Sequence, residues 1–196
     1  MFKSNIFRLF VLLLAFQSPS YAADKDIGGF VDNLMNSFFS ITKSTQLTES
    51  QKVQKARDLL EANLDFDWMG KFVLGRNRRD MKDKDLKDFL QVYKLYLVNT
   101  YADAVRSYKG EAVVVKNVYH LSDDEYVVKT TINKLDQDPI SVHYLVRRSA
   151  NKQDPYKVFD VVTEGVSMIS SQQAEFGSII GSSGIRVLIE DLKKKT

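Results

Sequence analysis

Two histidines and one aspartate are the residues that come nearest to a catalytic or metal-binding site. His120 and His143 are the two histidines of the chain, and neither has a second histidine or a carboxylate at ligand spacing, whereas metal sites need clustered ligands. Asp160 lies in an apolar stretch, where it could serve an enzyme as a general acid or base. The alternative is a structural carboxylate bonded to a backbone donor or a cation, and it is favoured because buried charges usually have partners.

Other catalytic signatures are absent from the sequence. Because the chain has no cysteine, thiol catalysis, thiolate metal sites and disulfide bonds are excluded. No glycine loop ends in Lys-Ser or Lys-Thr, so we do not expect the protein to hydrolyse nucleotides. There is no Gly-x-Ser-x-Gly nucleophile motif either. We therefore expect a protein that is not an enzyme, with no catalytic residue, no metal and no cofactor.

A cluster of five cations lies between residues 71 and 82. Its members are Lys71, Arg76, Arg78, Arg79 and Lys82. Such a cluster could meet a phosphate or an anionic membrane surface, where each cation contributes roughly 1 kcal/mol. It could equally be a solvated loop, because Asp80, Asp83 and Asp85 dilute the charge. The sequence leaves both interpretations open.

The first 22 residues are predicted to be a secretory signal peptide. Lys3 and Arg8 precede an apolar run at residues 9–16, and residues 20–22 supply the small side chains that a signal peptidase needs. The apolar run is too short to span a bilayer as a mature helix. The sequence therefore predicts cleavage near Ala22, a soluble periplasmic protein and a mature chain of residues 23–196.

Removing the signal peptide also changes the charge. It takes away Lys3 and Arg8, so the count of Lys and Arg falls from 28 to 26 against 25 acidic residues, and the net charge falls from +3 to +1. Proteins that bind nucleic acid usually carry a strong basic excess, so we expect no nucleic-acid partner. A mature chain of this size suits one domain that buries about 70% of its unfolded surface.

Apolar spacing in the N-terminal half and at the C-terminal end is helical. Residues recur at helical spacing, and Thr48 with Gln51 resembles a capping pair that begins a helix. A long stripe of apolar and aromatic residues predicts the longest helix. The predicted helices are 24–42, one beginning at Thr48, a short segment over 66–75, then 82–108, 166–180 and 185–193.

Between these helices the period changes to two. Residues rich in Val, Tyr and Thr predict strands over 111–120, 125–133, 140–148 and 156–163. The links between them are short turn sequences, which favour an antiparallel meander because parallel pairs need long crossovers. Helices, four strands and again helices predict an α+β fold with helices covering at least one face of the sheet.

The aromatic stripe of the long helix, Phe89, Tyr93, Tyr101 and Tyr108, has two interpretations. Together with the apolar strand faces it could line a cavity, although such stripes more often form plain core. Composition does not separate a filled core from a hollow one. The residues alone therefore lead to an exported single-domain α+β protein with a large apolar interior.

Several motifs follow one another along the mature chain. The main one runs from Tyr156 to Ile169 and contains Glu-Gly-Val-Ser-Met-Ile. The others are Phe66-Asp67, Val73-Leu74-Gly75, Phe89, Tyr101-Ala102, Tyr108, Phe176, Gly184 and Leu188-Ile189. Together they resemble the motifs of MlaC-type proteins, the periplasmic phospholipid-binding proteins of the Mla pathway, also called the toluene-tolerance family. Arg78 departs from the family, whose members often carry an aromatic residue there. The resemblance covers nearly the whole mature chain.

The resemblance implies an NTF2-like fold, in which a curved antiparallel four-strand sheet is covered by helices around a deep pocket. It implies that the acyl chains of a phospholipid cargo lie inside while the head group stays near the mouth. It also implies that a monomer docks to an inner-membrane ABC transporter complex and to an outer-membrane lipoprotein–porin complex, with transient membrane contact.

Seven residues are the predicted lipid-binding set. They are Tyr101, Val105, Val128, Tyr144, Val161, Val166 and Ile169. The predicted function is a periplasmic phospholipid carrier that shuttles lipid between the outer and inner membranes. Two alternatives remain open: an enzyme on the same scaffold that uses Asp160, with a tyrosine such as Tyr144, as acid and base, and a periplasmic adaptor whose apolar interior is solid.

Overall fold

A computed structural model describes residues 20–107, 112–133, 138–151, 153 and 155–196. Helices occupy both ends of this chain. They are α1 (Ser20–Lys43), α2 (Glu49–Asn63), α3 (Phe66–Leu74), α4 (Asp83–Ala102), α5 (Met168–Ser183) and α6 (Ile185–Lys193). Two 3₁₀ segments, Gly75–Asp80 and Asp103–Ser107, follow α3 and α4.

The strands between α4 and α5 form one antiparallel sheet with the strand order β1-β2-β3-β4-β5. They are β1 (Ala112–His120), β2 (Glu125–Asn133), β3 (Ile140–Arg148), β4 (Tyr156–Thr163) and β5 (Val166–Ser167). The α+β prediction and the antiparallel meander are confirmed. The predicted four strands are joined by a fifth, the two-residue β5.

The short β5 lies where the sequence predicted the start of a helix. Glu164 and Gly165 both have positive φ, 48° and 81°, and this tight turn sends the chain back along β4. Val166 then pairs with Thr163 and Ser167 with Val162. The helix consequently begins at Met168 instead of Val166.

Two strands contain an extra residue that the neighbouring strand does not match. The register of β1 against β2 skips Lys116, and that of β4 against β3 skips Phe159. A bulge of this kind bends its strand and increases the local twist. The sheet is therefore curved, and its concave space can be covered by helices.

Side chains fix where the helices begin. Thr48 and Gln51 form the predicted capping box, with each side chain bonded to the backbone N–H of the other residue at 3.3 and 2.9 Å. Asp65 Oδ1 accepts a hydrogen bond from the Trp68 N–H at 3.1 Å and caps α3. The predicted long helix is shorter than expected, because α4 ends at Ala102 and continues only as a 3₁₀ segment. Its predicted end at Tyr108 lies outside the described residues.

Helices α3 to α6 pack against one another and against one face of the sheet. Their contact forms a core of buried residues around the rings of Phe89, Tyr93 and Phe176, which we call the aromatic core. Gly70 allows this close approach, because a Cβ there would lie 2.5 Å from Leu90 Cδ2 of α4. A second core lies on the opposite face, where α1 packs through Ile27 and Val31 onto β1 and β2.

In the part of the chain that the structure describes, no helix is both long enough and apolar enough to cross a membrane. Residues 1–19 of the predicted signal peptide lie outside the described residues, and α1 begins at Ser20. Cleavage near Ala22 therefore remains a prediction.

Candidate functional site

A cavity of about 620 Å³ lies between the sheet and the helices α1 and α2. Its walls come from every strand and from five of the helices. The lining residues of α1, α2, α3 and the link between α2 and α3 are Leu34, Met35, Phe38, Phe39, Leu59, Leu60, Leu64 and Met69. The rest of the lining consists of Tyr101, Ala104, Val113, Ile132, Tyr144, Val158, Asp160, Val161, Thr163, Val166 and Met168.

The lining is almost entirely apolar, and part of it is incompletely packed. Met35, Phe38 and Phe39 of α1 and Leu59 and Leu60 of α2 are all only half-buried, although they line the interior of the fold. A large apolar side chain that is only half-buried makes fewer dispersion contacts than one in a filled core. An apolar ligand in the cavity would supply the missing contacts.

The mouth of the cavity is marked by lining residues that also reach the surface. Val166 of β5 is 62% exposed and Tyr101 at the end of α4 is 37% exposed. The turn before Val166 is fastened to β3, because the Glu164 N–H donates to Ser141 O at 3.0 Å and the Ser141 N–H donates to Glu164 Oε1 at 2.5 Å. These two hydrogen bonds to β3 fix the position of Val166 at the mouth.

Asp160 is the one ionisable carboxylate among the lining residues, and it is 2% exposed. Its Oδ1 accepts hydrogen bonds from the N–H groups of Val161 at 2.8 Å and Ile169 at 3.1 Å, and its Oδ2 accepts one from Ser167 Oγ at 2.6 Å. Ser167 in turn caps α5 by accepting from the Ser170 N–H at 3.1 Å. The carboxylate therefore joins β4 to the beginning of α5, as the structural interpretation requires.

Two tyrosines contribute hydroxyl groups to the cavity. Tyr144 Oη donates to Met35 Sδ at 3.0 Å, a weak acceptor. Burial raises the pKa of Tyr144 to about 12. Burial also raises the pKa of Tyr101, with smaller contributions from Tyr96 and Asp160. Both hydroxyl groups are therefore neutral donors at physiological pH.

Four of the seven predicted lipid-binding residues are brought together. Tyr101, Tyr144, Val161 and Val166 all line the cavity. Their contact with lipid remains a prediction.

The other three predicted residues lie outside the cavity lining. Val105 is packed with Ala56 and Ala102, Val128 lies in the core under α1, and Ile169 belongs to the aromatic core. Each is at most 5% exposed. In the first turn of α5, Met168 lines the cavity, whereas Ile169 is buried in the aromatic core.

The sequence prediction also missed the wall that α1 and α2 supply. The sequence feature that indicates this wall is the width of the apolar face of α1. Leu34 and Phe38 follow the helical stripe, but Met35 and Phe39 lie one position beyond it. A face wider than one neighbouring helix can cover indicates that something else is buried against it.

The histidines do not contribute to the cavity lining. His143 Nε2 lies 3.1 Å from Ser141 Oγ, and the His120 ring contacts the Tyr126 ring edge-on with centroids 4.8 Å apart. Across the described ranges, no group of three or more histidine and carboxylate side chains is placed to hold a metal ion.

A family model with the description MlaC protein matches residues 32–194. This match runs from the middle of α1 to the end of α6 and includes every strand. The chain belongs to the MlaC family. Its cavity is therefore a feature of an MlaC-family fold, built by the segments that the family model covers.

Two known proteins extend the comparison. The intermembrane phospholipid transport system binding protein MlaC of Haemophilus influenzae is 22% identical over 161 residues, which are 80% of this chain and 75% of that protein. A phospholipid-binding protein from Ralstonia solanacearum, solved in complex with a phospholipid, has the same fold with a TM-score of 0.71. It is 20% identical, and the match covers 86% of this chain and 95% of that one.

Proposed function

We propose that this MlaC-family protein is a periplasmic phospholipid carrier, and that its apolar cavity holds acyl chains. The observation that carries the proposal is the cavity of about 620 Å³ between the sheet and α1–α2. This volume falls within the range of about 300–1,000 Å³ that is usual for ligand pockets. The names of the two similar proteins, one a phospholipid transport protein and one bound to a phospholipid, support the same class of ligand.

The energetics of lipid transfer explain why such a protein needs a dry cavity. Burying one CH₂ group contributes about 0.8 kcal/mol, and a diacyl lipid has about thirty of them, so moving it bare into water costs on the order of 20 kcal/mol. The half-buried side chains Met35, Phe38 and Leu60 offer apolar contacts that replace much of the lost membrane environment. The mouth at Tyr101 and Val166 leaves a charged head group near solvent.

Contacts inside the cavity favour a carrier over an enzyme. An acid–base mechanism would use Asp160 and Tyr144, but the Asp160 carboxylate already accepts three hydrogen bonds from β4, β5 and α5. The Tyr144 hydroxyl, with its pKa near 12, is a poor base at neutral pH. An adaptor with a solid interior would not need the open space beside α1.

The partners and the compartment follow from the same proposal. A carrier exported by residues 1–22 would take lipid from one membrane complex and give it to another. The partners are an inner-membrane ABC transporter complex and an outer-membrane lipoprotein–porin complex. Since the sequence holds no nucleotide-binding loop, any uphill step would be driven by a partner.

Mass spectrometry of gently purified, full-length expressed protein tests the proposal. We expect phospholipid to co-purify and to be released on unfolding. A matched variant with a charge in the wall, Leu60→Asp, is expected to reduce the bound lipid strongly, while Leu95→Asp on the exposed face of α4 retains it. Wild-type protein that stays empty after incubation with phospholipid vesicles would contradict the carrier and support the adaptor.

A further inference from the structure

The 3₁₀ segment Gly75–Asp80, which we call the arginine segment, presents three cations to solvent. Arg76, Arg78 and Arg79 are all exposed. Within the part of the chain that the structure describes, no carboxylate oxygen lies within 4.0 Å of their guanidinium groups. The cavity described above does not use any of them.

Four other arginines have a carboxylate partner, whereas Arg57 of α2 has none within 4.0 Å among the described residues. Arg106 lies 3.3 Å from Asp103, Arg147 lies 3.4 Å from Glu125, and Arg186 contacts two carboxylates of α4. Arg147 also lies 5.1 Å above the ring of Trp68. A guanidinium carries five N–H donors, and three of these groups close together without a carboxylate concentrate positive charge and donors that an external anion can use.

The arginine segment is held firmly at its base. Gly75 has a φ of +53°, and a Cβ there would approach Gln173 of α5 to 3.1 Å. Gln173 Nε2 donates to Phe72 O at 2.7 Å, and the preceding Leu74 is buried. A segment fixed in this way presents its charges with little further loss of conformational entropy on binding.

We infer that the arginine segment is a docking surface for an acidic patch on a protein partner of the carrier. Arginine binds carboxylates in a planar, two-point geometry that favours specific protein contacts. An anionic bilayer fits less well, because residues 75–80 contain no apolar side chain to insert. The inference rests on the proposed carrier function, because it assigns a surface to that function's partners.

The test compares two variants with the same loss of charge. The triple variant Arg76→Gln, Arg78→Gln and Arg79→Gln removes the arginine segment's cations. The control replaces Lys55, Lys194 and Lys195 by Gln, on α2 and at the end of the chain beyond α6. Thr196 O accepts a hydrogen bond from Asn99 Nδ2, so the C-terminal tail that carries the control substitutions lies beside Asn99 of α4. Asn99 is sixteen residues beyond the first residue of α4, which corresponds to about 24 Å along the helix axis.

Binding is measured by surface plasmon resonance to each of the two purified membrane complexes in detergent, and separately to vesicles of phosphatidylethanolamine and phosphatidylglycerol. We expect the arginine variant to bind at least one complex on the order of tenfold more weakly at low salt, mainly through a slower association rate. The loss should shrink at high salt. The control variant should bind like wild type, and both variants should retain wild-type lipid content.

Each other result overturns the inference. Equal affinity of the arginine variant and the control for both complexes means that the arginine segment is a solvated loop. A similar loss on bare vesicles means that it contacts lipid instead of protein. If wild-type protein binds neither complex, the docking surface is also ruled out. The carrier function itself is contradicted only if that protein is also free of phospholipid.

Discussion

The aromatic core and the cavity are built from the same kinds of residue but differ in how completely they are packed. In the aromatic core, the Phe89 and Tyr93 rings are stacked with centroids 5.5 Å apart, and the Phe176 ring meets both edge-on. In the cavity, Phe38 and Phe39 are half-buried and face open space. One part of the fold therefore supplies stability, while the other leaves open space between apolar side chains.

One buried tyrosine from each region shows the same contrast. The Tyr93 hydroxyl, in the aromatic core, donates to Gln172 Oε1 at 2.7 Å, and burial raises its pKa well above the usual range. The Tyr144 hydroxyl, in the cavity, has only the weak sulfur acceptor of Met35. A satisfied polar pair specifies one packing arrangement, whereas a loosely bonded hydroxyl leaves the cavity able to adapt.

The largest difference between the two regions is expected on truncating a phenylalanine. Phe176→Ala should lower the free energy of unfolding by about 3–5 kcal/mol, because it opens a hole in a filled core. Phe39→Ala should cost far less in lipid-free protein, since its ring already faces open space. Urea unfolding of both variants measures this, and equal losses would mean that the two regions are packed alike.

Enlarging a side chain should lower the stability of the aromatic core, whereas in the cavity it should displace lipid. Ile169→Trp overpacks the aromatic core and should cost about 1–3 kcal/mol or more. Val161→Trp should keep a near-normal thermal transition but retain much less phospholipid, because its ring occupies space for acyl chains. Thermal melts and lipid extraction give the answer. A Val161→Trp protein that unfolds would show that this wall is solid, and one with full lipid would place the cargo elsewhere.

Asp160 connects the two regions, so its replacement should affect both. In Asp160→Asn the amide oxygen can keep the two backbone N–H bonds, but the NH₂ group then faces Ser167 Oγ, which loses its acceptor, so the change should cost about 1–3 kcal/mol. Melting temperature and lipid retention are expected to fall together. Asp160→Glu, which keeps the charge, serves as the comparison. A variant with wild-type melting temperature and no lipid transfer would point to a chemical role for the carboxylate.

The smallest effect at neutral pH is expected for Tyr144→Phe, because a hydrogen bond to sulfur contributes little. Above pH 10 the variant should diverge from wild type. The unfolded chain loses the hydroxyl proton near 10 while the folded protein holds it to about 12, so ionisation favours unfolding and stability falls as pH rises through this window. Urea unfolding between pH 9 and 12 should show a shallower fall for Tyr144→Phe, and parallel curves would contradict the burial of this hydroxyl.

Much of the fold could be predicted because local patterns and tertiary structure agree. The strands 125–133, 140–148 and 156–163 have the predicted bounds, since alternating residues are bounded by turn sequences. The start of α5 was misplaced because the Glu164–Gly165 turn and the pairing of β5 depend on β4 and β3. Apolar periodicity carries no information about that pairing.

The site was predicted less well than the fold. Val161 and Ile169 are both apolar and close in sequence, yet one lines the cavity and the other lies in the aromatic core. Whether space remains between two apolar surfaces depends on how far the helices stand from the sheet, and residue type alone does not determine that distance. Tyr101 and Tyr144 line the cavity, but the Met35 acceptor of Tyr144 is brought there by the packing of α1 on the sheet.

The bulge at Lys116 has a consequence for self-association of the protein. Strand β1 is the outer strand of the sheet, and the unpaired backbone groups of an outer strand can join the sheet of another molecule. Lys116 is exposed and stands out of register midway along β1, so it interrupts that edge with a charge. Lys116 therefore disfavours pairing of this edge with the sheet of a second molecule.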